Sequence, residues 1–540
     1  MAGPDDAPQQ QQQNIVEVKV QSDLKAFLMF ECAAAQGYTP AMNSLAAMYE
    51  IGAGVQKDIP KAIDLYTKAA ELGDKSAQHT LGLLYEQGEL VQQNYESSMY
   101  WYEKAAEQGV PESIHNIARL YARGLGVECD YKKAMETYLK AAAKSFARSE
   151  YCIGTLYYDG LGVEIDETIA YEWFEKAAEH NLPVAQFKLG SLYLNGSVRQ
   201  DKDIEKALHW LTKAAANEHC LAQETLGSLY IKGSEVELNY EKAFYYNSLS
   251  ATQGSYIAQH NLAYQFAFAL GCEKDLVIAA EWYRRAAEQG FHLSQHQLGL
   301  CYLLGNGIEK DPVVAVEWFQ KAAAQDYASS QHSLGKCYAD GCGVEQSYTL
   351  AVTWYKLSAA QGLPEAIHNL GRMYYQGLGV EQDYKKALEL YQQSAAQGLA
   401  ASQHNLALMY ESGQGTEKDQ TKAIELYSKA AAQGHSLSAN NLALRYENGE
   451  GVAQDYGKAI ALYTVAAESG LAVAQFNIGR LGKGVPASDY TAADWYQRAA
   501  DQGYARAMYN LALIYFYGPR VPAEENKAVA EAIHVGENTE

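Results

Sequence analysis

This 540-residue chain lacks a cysteine framework. Its eight cysteines (Cys32, Cys129, Cys152, Cys220, Cys272, Cys301, Cys337 and Cys342) form no CxxC pair and no regular spacing, which excludes a zinc ribbon and a disulfide-stapled scaffold. It also lacks a basic excess: Lys and Arg number 43 against 65 Asp and Glu, a net charge of -22. Duplex DNA and anionic membranes would repel such a chain, whereas a basic protein or peptide would not. No apolar run approaches the roughly 18 residues of a membrane helix. The amino end, "MAGPDDAPQQQQQN", has neither the basic region nor the apolar stretch of a secretion signal, and Ala2 stands where myristoylation requires glycine. The expectation is a cytoplasmic or nuclear protein with no membrane insertion, no nucleic-acid partner and a disordered Gln-rich tail over residues 1–20.

What the chain has is a period. Taking the small residue four places before a conserved-phase Leu or Ile as position 1, the series runs Ala41, Ala77, Ser113, Ser149, Ala185, Ala222, Ala258, Ser294, Ser330, Ala366, Ser402, Ser438, Ala474, Ala507. Eleven of the thirteen steps are 36 residues, one is 37 and one is 33. A half repeat precedes the series at 24–37, full repeats fill 41–506, and a degenerate capping repeat at 507–532 leads to a short tail at 533–540.

Each unit reads as two helices. In helix A, positions 1, 5 and 9 hold a small residue, Leu or Ile, and Tyr, as in Ala366, Leu370 and Tyr374, which makes one apolar stripe. Position 6 is Gly or Ala throughout, allowing a neighbouring helix to approach. A loop with two glycines follows, such as Gly377 and Gly379. Position 18 then supplies a cap for helix B: Asp58, Asn94, Asp130, Asp166, Asp203, Asn239, Asp275, Asp311, Ser347, Asp383, Asp419 and Asp455. Helix B usually ends at a glycine such as Gly398 or Gly434.

The stretches "ASQHNLALMYESGQGTEKDQTKAIELYSKAAAQG" (Ala401–Gly434) and "AIHNLGRMYYQGLGVEQDYKKALELYQQSAAQG" (Ala366–Gly398) carry nearly the whole motif of the Sel-1-like repeat family, to which the chain is similar over more than nine-tenths of its length. The resemblance implies an all-α fold, a right-handed α/α superhelical solenoid of about thirteen 36-residue helix-loop-helix repeats with a concave groove. Some secreted members carry a regular disulfide in each repeat; its absence here is consistent with a reducing compartment.

Several residues invite a chemical reading. All seven tryptophans (Trp101, Trp173, Trp210, Trp282, Trp318, Trp354 and Trp495) share one helix B position, which Leu fills in other repeats, and so read as packing groups. The "GLGVEQD" loops lack the GxxxxGK[ST] run of a phosphate cradle. Cys301 and Cys337 share one phase of adjacent repeats, too far apart for a disulfide if helices stack at about 8–10 Å, and read as free buried thiols. Seven of thirteen histidines recur at position 3 of helix A: His79, His115, His260, His296, His332, His368 and His404. The helical wheel sets them off the core stripe beside a frequent Asn, the face that lines the groove in related tetratricopeptide repeats. Rungs a helix diameter apart cannot share a metal, so the ladder reads as packing or peptide contact, with no cofactor.

Two repeats depart from the motif. "AQHNLAYQFAFALGCEKD" (Ala258–Asp275) replaces the first loop glycine with Ala269 and sets Tyr264 and Phe268 on the groove arc, and the next repeat has Leu300, Leu303 and Leu304 at matching positions. These residues read either as an apolar ligand patch or as local packing. "FNIGRLGKGVPASDY" (Phe476–Tyr490) loses three residues, which predicts a bend or a weak joint.

The functional expectation is a non-enzymatic scaffold or adaptor that binds protein or peptide partners in its groove. Tyr264, Phe268, Leu300, Leu303 and Leu304 would anchor a partner, with His260, Asn261, His296, His332, His368 and His404 as polar contacts. Glu50, Glu86, Glu411 and Glu447 would favour basic segments. The resemblance offers two alternatives: a substrate-recruiting subunit of an endoplasmic-reticulum-associated ubiquitin ligase, which needs a signal sequence and usually a membrane anchor, and a regulatory activator of a signalling or cell-wall enzyme.

Overall fold

The helix–loop–helix period appears directly in the structure, a computed structural model that describes residues 6–196, 201–481 and 492–517. Among the described residues there are 28 helices and no strand. No helix there is long and apolar enough to cross a membrane. The chain divides into two compact units, residues 1–273 and 274–540, and within each unit every helix packs on its sequence neighbours.

Local chemistry places the helices. All twelve expected caps have extended backbone and accept a hydrogen bond from a backbone N–H in the first turn of helix B. Helix A typically stops at a glycine in the left-handed region, as at Gly377 with φ 71°. Ala269 takes the same conformation at φ 58°, where a side chain is strained.

The core is built round position 26 of helix B, which is aromatic except at Leu211 and Asn247. Tyr102 and Phe174 in the first unit, and Phe319, Tyr355, Tyr391, Tyr427 and Tyr463 in the second, are fully buried. Position 6 is small because this ring lies against it: a Cβ added to Gly335 would fall 2.5 Å from the ring of Tyr355. The inner stripe of helix A also takes in position 8, where Leu84, Leu120, Leu156 and Met373 are buried; at position 9 Tyr49 and Tyr193 are buried, while Tyr85, Tyr121, Tyr157 and Tyr374 are half-buried at its edge. The tryptophan position packs as expected in Trp210 and Trp495, which are buried.

A polar ladder that the sequence pattern did not suggest runs through the core. Gln78, at position 2, donates to the Ala70 carbonyl at the end of the preceding helix and accepts from Gln108 at 2.8 Å. Gln223, Gln295 and Gln403 repeat both bonds, so each buried amide both donates and accepts. Where position 2 is Glu150, the partner becomes His180 at 2.7 Å.

The first helix, Asp6–Ala35, begins within the stretch expected to be a disordered tail. Glutamine is a good helix former, which removes the local obstacle to such an extension. The shortened loop after Leu481 and the carboxy-terminal tail lie outside the described residues. No cysteine forms a disulfide; Cys337 is buried and Cys301 half-buried, and burial raises both thiols to about 11.

Candidate interaction site on the helix A faces

Position 3 of helix A meets two neighbours. One is the position 26 ring of its own repeat: His79 lies 5.7 Å from Tyr102, His296 5.5 Å from Phe319 and His404 5.6 Å from Tyr427, measured between ring centroids. The other is the first residue of the next repeat. Nδ1 of His79, His115, His296, His368 and His404 lies 2.8–2.9 Å from the Oγ of Ser113, Ser149, Ser330, Ser402 and Ser438 respectively. Where Tyr151 or Phe476 stands instead, the ring packs on Phe174 or Tyr496 and the next repeat opens with alanine.

Proton direction follows from the serines. Ser402 Oγ donates to Ser394 Oγ, so its own acceptor site is left for an N–H on His368 Nδ1. Burial holds His115, His296, His332, His368 and His404 near pKa about 4, so these rings are neutral at neutral pH. His296 and His404 are each 8% exposed. They therefore offer a partner less surface than a helical wheel suggests, because the wheel omits the next repeat.

Position 10 carries the second recurrent arrangement. The carboxylates of Glu50, Glu86, Glu411 and Glu447 accept from the position 26 hydroxyls of Tyr66, Tyr102, Tyr427 and Tyr463 at 2.7–2.9 Å. Three also hold an arginine of the next repeat. Arg119 reaches Glu86 at 2.6 Å, Arg480 reaches Glu447 at 2.6 Å, and Arg445 pairs with Glu411. Most of this negative charge is neutralised inside the array, so the expectation of basic segments gains little from these residues.

The repeat beginning at Ser330 breaks both arrangements at once. Position 10 is Ala339, so Tyr355 and Arg372 occupy the phases of Tyr102 and Arg119 without the glutamate between them. The next repeat opens with Ala366, so His332 has no serine hydroxyl to meet. Its Nε2 instead accepts from Asn369 Nδ2 at 2.9 Å. At the equivalent phase, Asn405 and Asn441 serve the hydroxyls of Tyr391 and Tyr427. Asn369 is diverted, and the Tyr355 hydroxyl, on a fully buried side chain, has no hydrogen-bond partner. A cavity of about 340 Å³ opens here, with Tyr355, His332 and Asn369 in its wall and Lys336, Asp340, Glu365 and Arg372 at its exposed edge.

The other candidate residues lie as follows. In the first unit, His260 and Asn261 are half-buried, and Asn261 donates to Ser228 at 3.4 Å. Tyr264 and Phe268 form an exposed ring pair 4.6 Å apart, with Phe268 61% exposed. In the second unit, Leu300 and Leu303 are half-buried against the cluster of Val316, Phe319 and Leu334, whereas Leu304 is 62% exposed. No three His, Cys, Asp or Glu side chains among the described residues converge on a metal-sized position.

The Sel1 repeat family model matches fifteen consecutive segments, from residues 18–38 to residues 505–530. Among solved structures, the chain is similar to c5321, a protective antigen present in uropathogenic Escherichia coli strains displaying an SLR fold. The two are 29% identical, the match covers 89% of this chain and 97% of that one, and the TM-score is 0.51. A Sel1 repeat protein from Oxalobacter formigenes is 31% identical over 58% of this chain and 90% of its own, with a TM-score of 0.42. No curated protein matches the chain.

Proposed function

The chain belongs to the Sel1 repeat family, and on that premise we propose that it is a non-enzymatic interaction scaffold whose helix A faces form a groove for protein or peptide partners. The observation behind this reading is how the recurrent polar groups are used. Five histidines each have one ring nitrogen tied to a serine of the next repeat, and three glutamates are held by tyrosine and arginine, so these recurrent groups serve to join one repeat to the next. Exposed apolar groups recur beside them: Tyr264 and Phe268 in one unit, Leu304 in the other. Such groups give a partner apolar area to bury.

In this reading Tyr264 and Phe268 are the anchors of the first unit, with His260 and Asn261 as polar contacts, and Leu304 is the anchor of the second, supported by Leu300 and Leu303, with His296, His332, His368 and His404 as polar contacts. The test is capture of partners by the tagged full chain compared with the Phe268→Asp/Leu304→Asp double variant. Capture should be lost while the helical circular-dichroism signal is retained. Unchanged capture removes these anchors from the reading.

A further inference from the structure

We propose that the cavity between Tyr355 and Arg372 receives a carboxylate group, either from a partner's acidic side chain or chain end or from a small organic acid. This deepens the scaffold reading by naming the chemistry of one contact, and the peptide source rests on that reading.

The argument is internal to the chain. At Glu86 and Glu447 the same repeat positions hold a carboxylate between a buried tyrosine hydroxyl and an arginine of the next repeat, and at Glu411 the arginine comes from one position further on, at Arg445. At Ala339 both donors remain and only the carboxylate is gone from the sequence. Elsewhere a tyrosine without its glutamate finds another neighbour: Cys152 for Tyr138, Asn405 for Tyr391. Tyr355 finds none, because Ala366 leaves His332 to take Asn369. A buried hydroxyl without a partner is destabilising, so an acceptor brought to it is favoured.

The charges at the edge decide how a ligand is recognised. Lys336 and Arg372 balance Asp340 and Glu365, so there is little long-range pull on an anion. Binding must come from short hydrogen bonds. The Tyr355 hydroxyl donates to one carboxylate oxygen and the Arg372 guanidinium reaches both, as at Glu447, where Tyr463 donates to Oε2 and Arg480 reaches Oε1 and Oε2.

The test is calorimetric titration of the full chain with three probes: a short acetylated peptide ending in a free carboxylate, the same peptide as its amide, and succinate. The carboxylate peptide, succinate or both should bind the wild type, and the amide should not. Binding should weaken at least tenfold in Tyr355→Phe, which removes only the hydroxyl, and in Arg372→Gln. It should vanish in Ala339→Glu, whose own side chain completes the triad, with helical signal preserved. Binding by the peptide alone assigns the group to a partner's chain, and binding by succinate assigns it to a small acid. Equal binding by the carboxylate and amide peptides, no binding by either the carboxylate peptide or succinate, or full binding by Ala339→Glu overturns the proposal. Because the probes are synthetic, failure here leaves the Phe268 and Leu304 anchors untouched, and failure of those anchors leaves this site untouched.

Discussion

His404 Nδ1 lies 2.9 Å from the Oγ of Ser438, a residue 34 positions further along at the start of the next repeat. The bond therefore joins repeats, and its two halves vary together along the chain. Of seven histidines at position 3, six are followed by serine at the next position 1, and His332 is the exception. All six repeats with another residue there are followed by alanine: Asn43, Tyr151, Phe187, Glu224, Asn440 and Phe476 precede Ala77, Ala185, Ala222, Ala258, Ala474 and Ala507.

That pairing can be taken apart. Ser330→Ala should lower stability by about 1–3 kcal/mol, because it leaves the buried His296 Nδ1 unpaired. His296→Phe alone should cost a similar amount by stranding the Ser330 hydroxyl. The double variant recreates the Phe476–Ala507 combination and should recover most of the loss. Urea midpoints of the four proteins measure this; strictly additive losses would show that the bond contributes nothing.

The histidines also set a pH response. Their folded-state values near 4 lie below the ordinary 6.5, so folding is favoured wherever the unfolded rings too are neutral. The contribution is complete above about 6.5. It is lost as pH falls from there through 4, where only the unfolded chain takes up protons. The urea midpoint should drop between about pH 7 and about pH 5, before most carboxylates titrate. Replacing His296 and His404 with Asn should flatten that drop.

Ala269→Gly should stabilise the first unit by about 0.5–1 kcal/mol. Relief of the left-handed strain at φ 58° is partly offset by the greater freedom of glycine in the unfolded chain. A raised thermal midpoint, without change in helical signal, is the expected reading.

The sequence carried those features that depend on neighbours within one helical turn. The caps from Asp58 to Asp455 and the helix ends at Gly377 and its equivalents obey such local rules, and they appear in the structure at the expected residues. Features that depend on the next repeat were less legible. A helical wheel set His404 on an open face because it has no term for the stacked repeat that buries the ring to 8% exposure. The same omission hid the hydrogen bonds of Gln78 and the diversion of Asn369 that leaves Tyr355 unpaired. The signal for His404 and Ser438 was present at a separation of 34 residues. Finding it requires comparing the third residue of one repeat with the first of the next, not repeats in parallel.

The histidine–serine bond also constrains how such an array can change by recombination. The unit from Ser294 opens with serine and carries His296, so copies of it placed in tandem would match at every junction. The unit from Ala185 opens with alanine and carries Phe187, and tandem copies of it match as well. Exchanging the two would bury a lone hydroxyl at one junction and a lone imidazole at another. Duplication within a type is thus cheap and shuffling between types is penalised, so the order of repeats is itself part of what the sequence specifies.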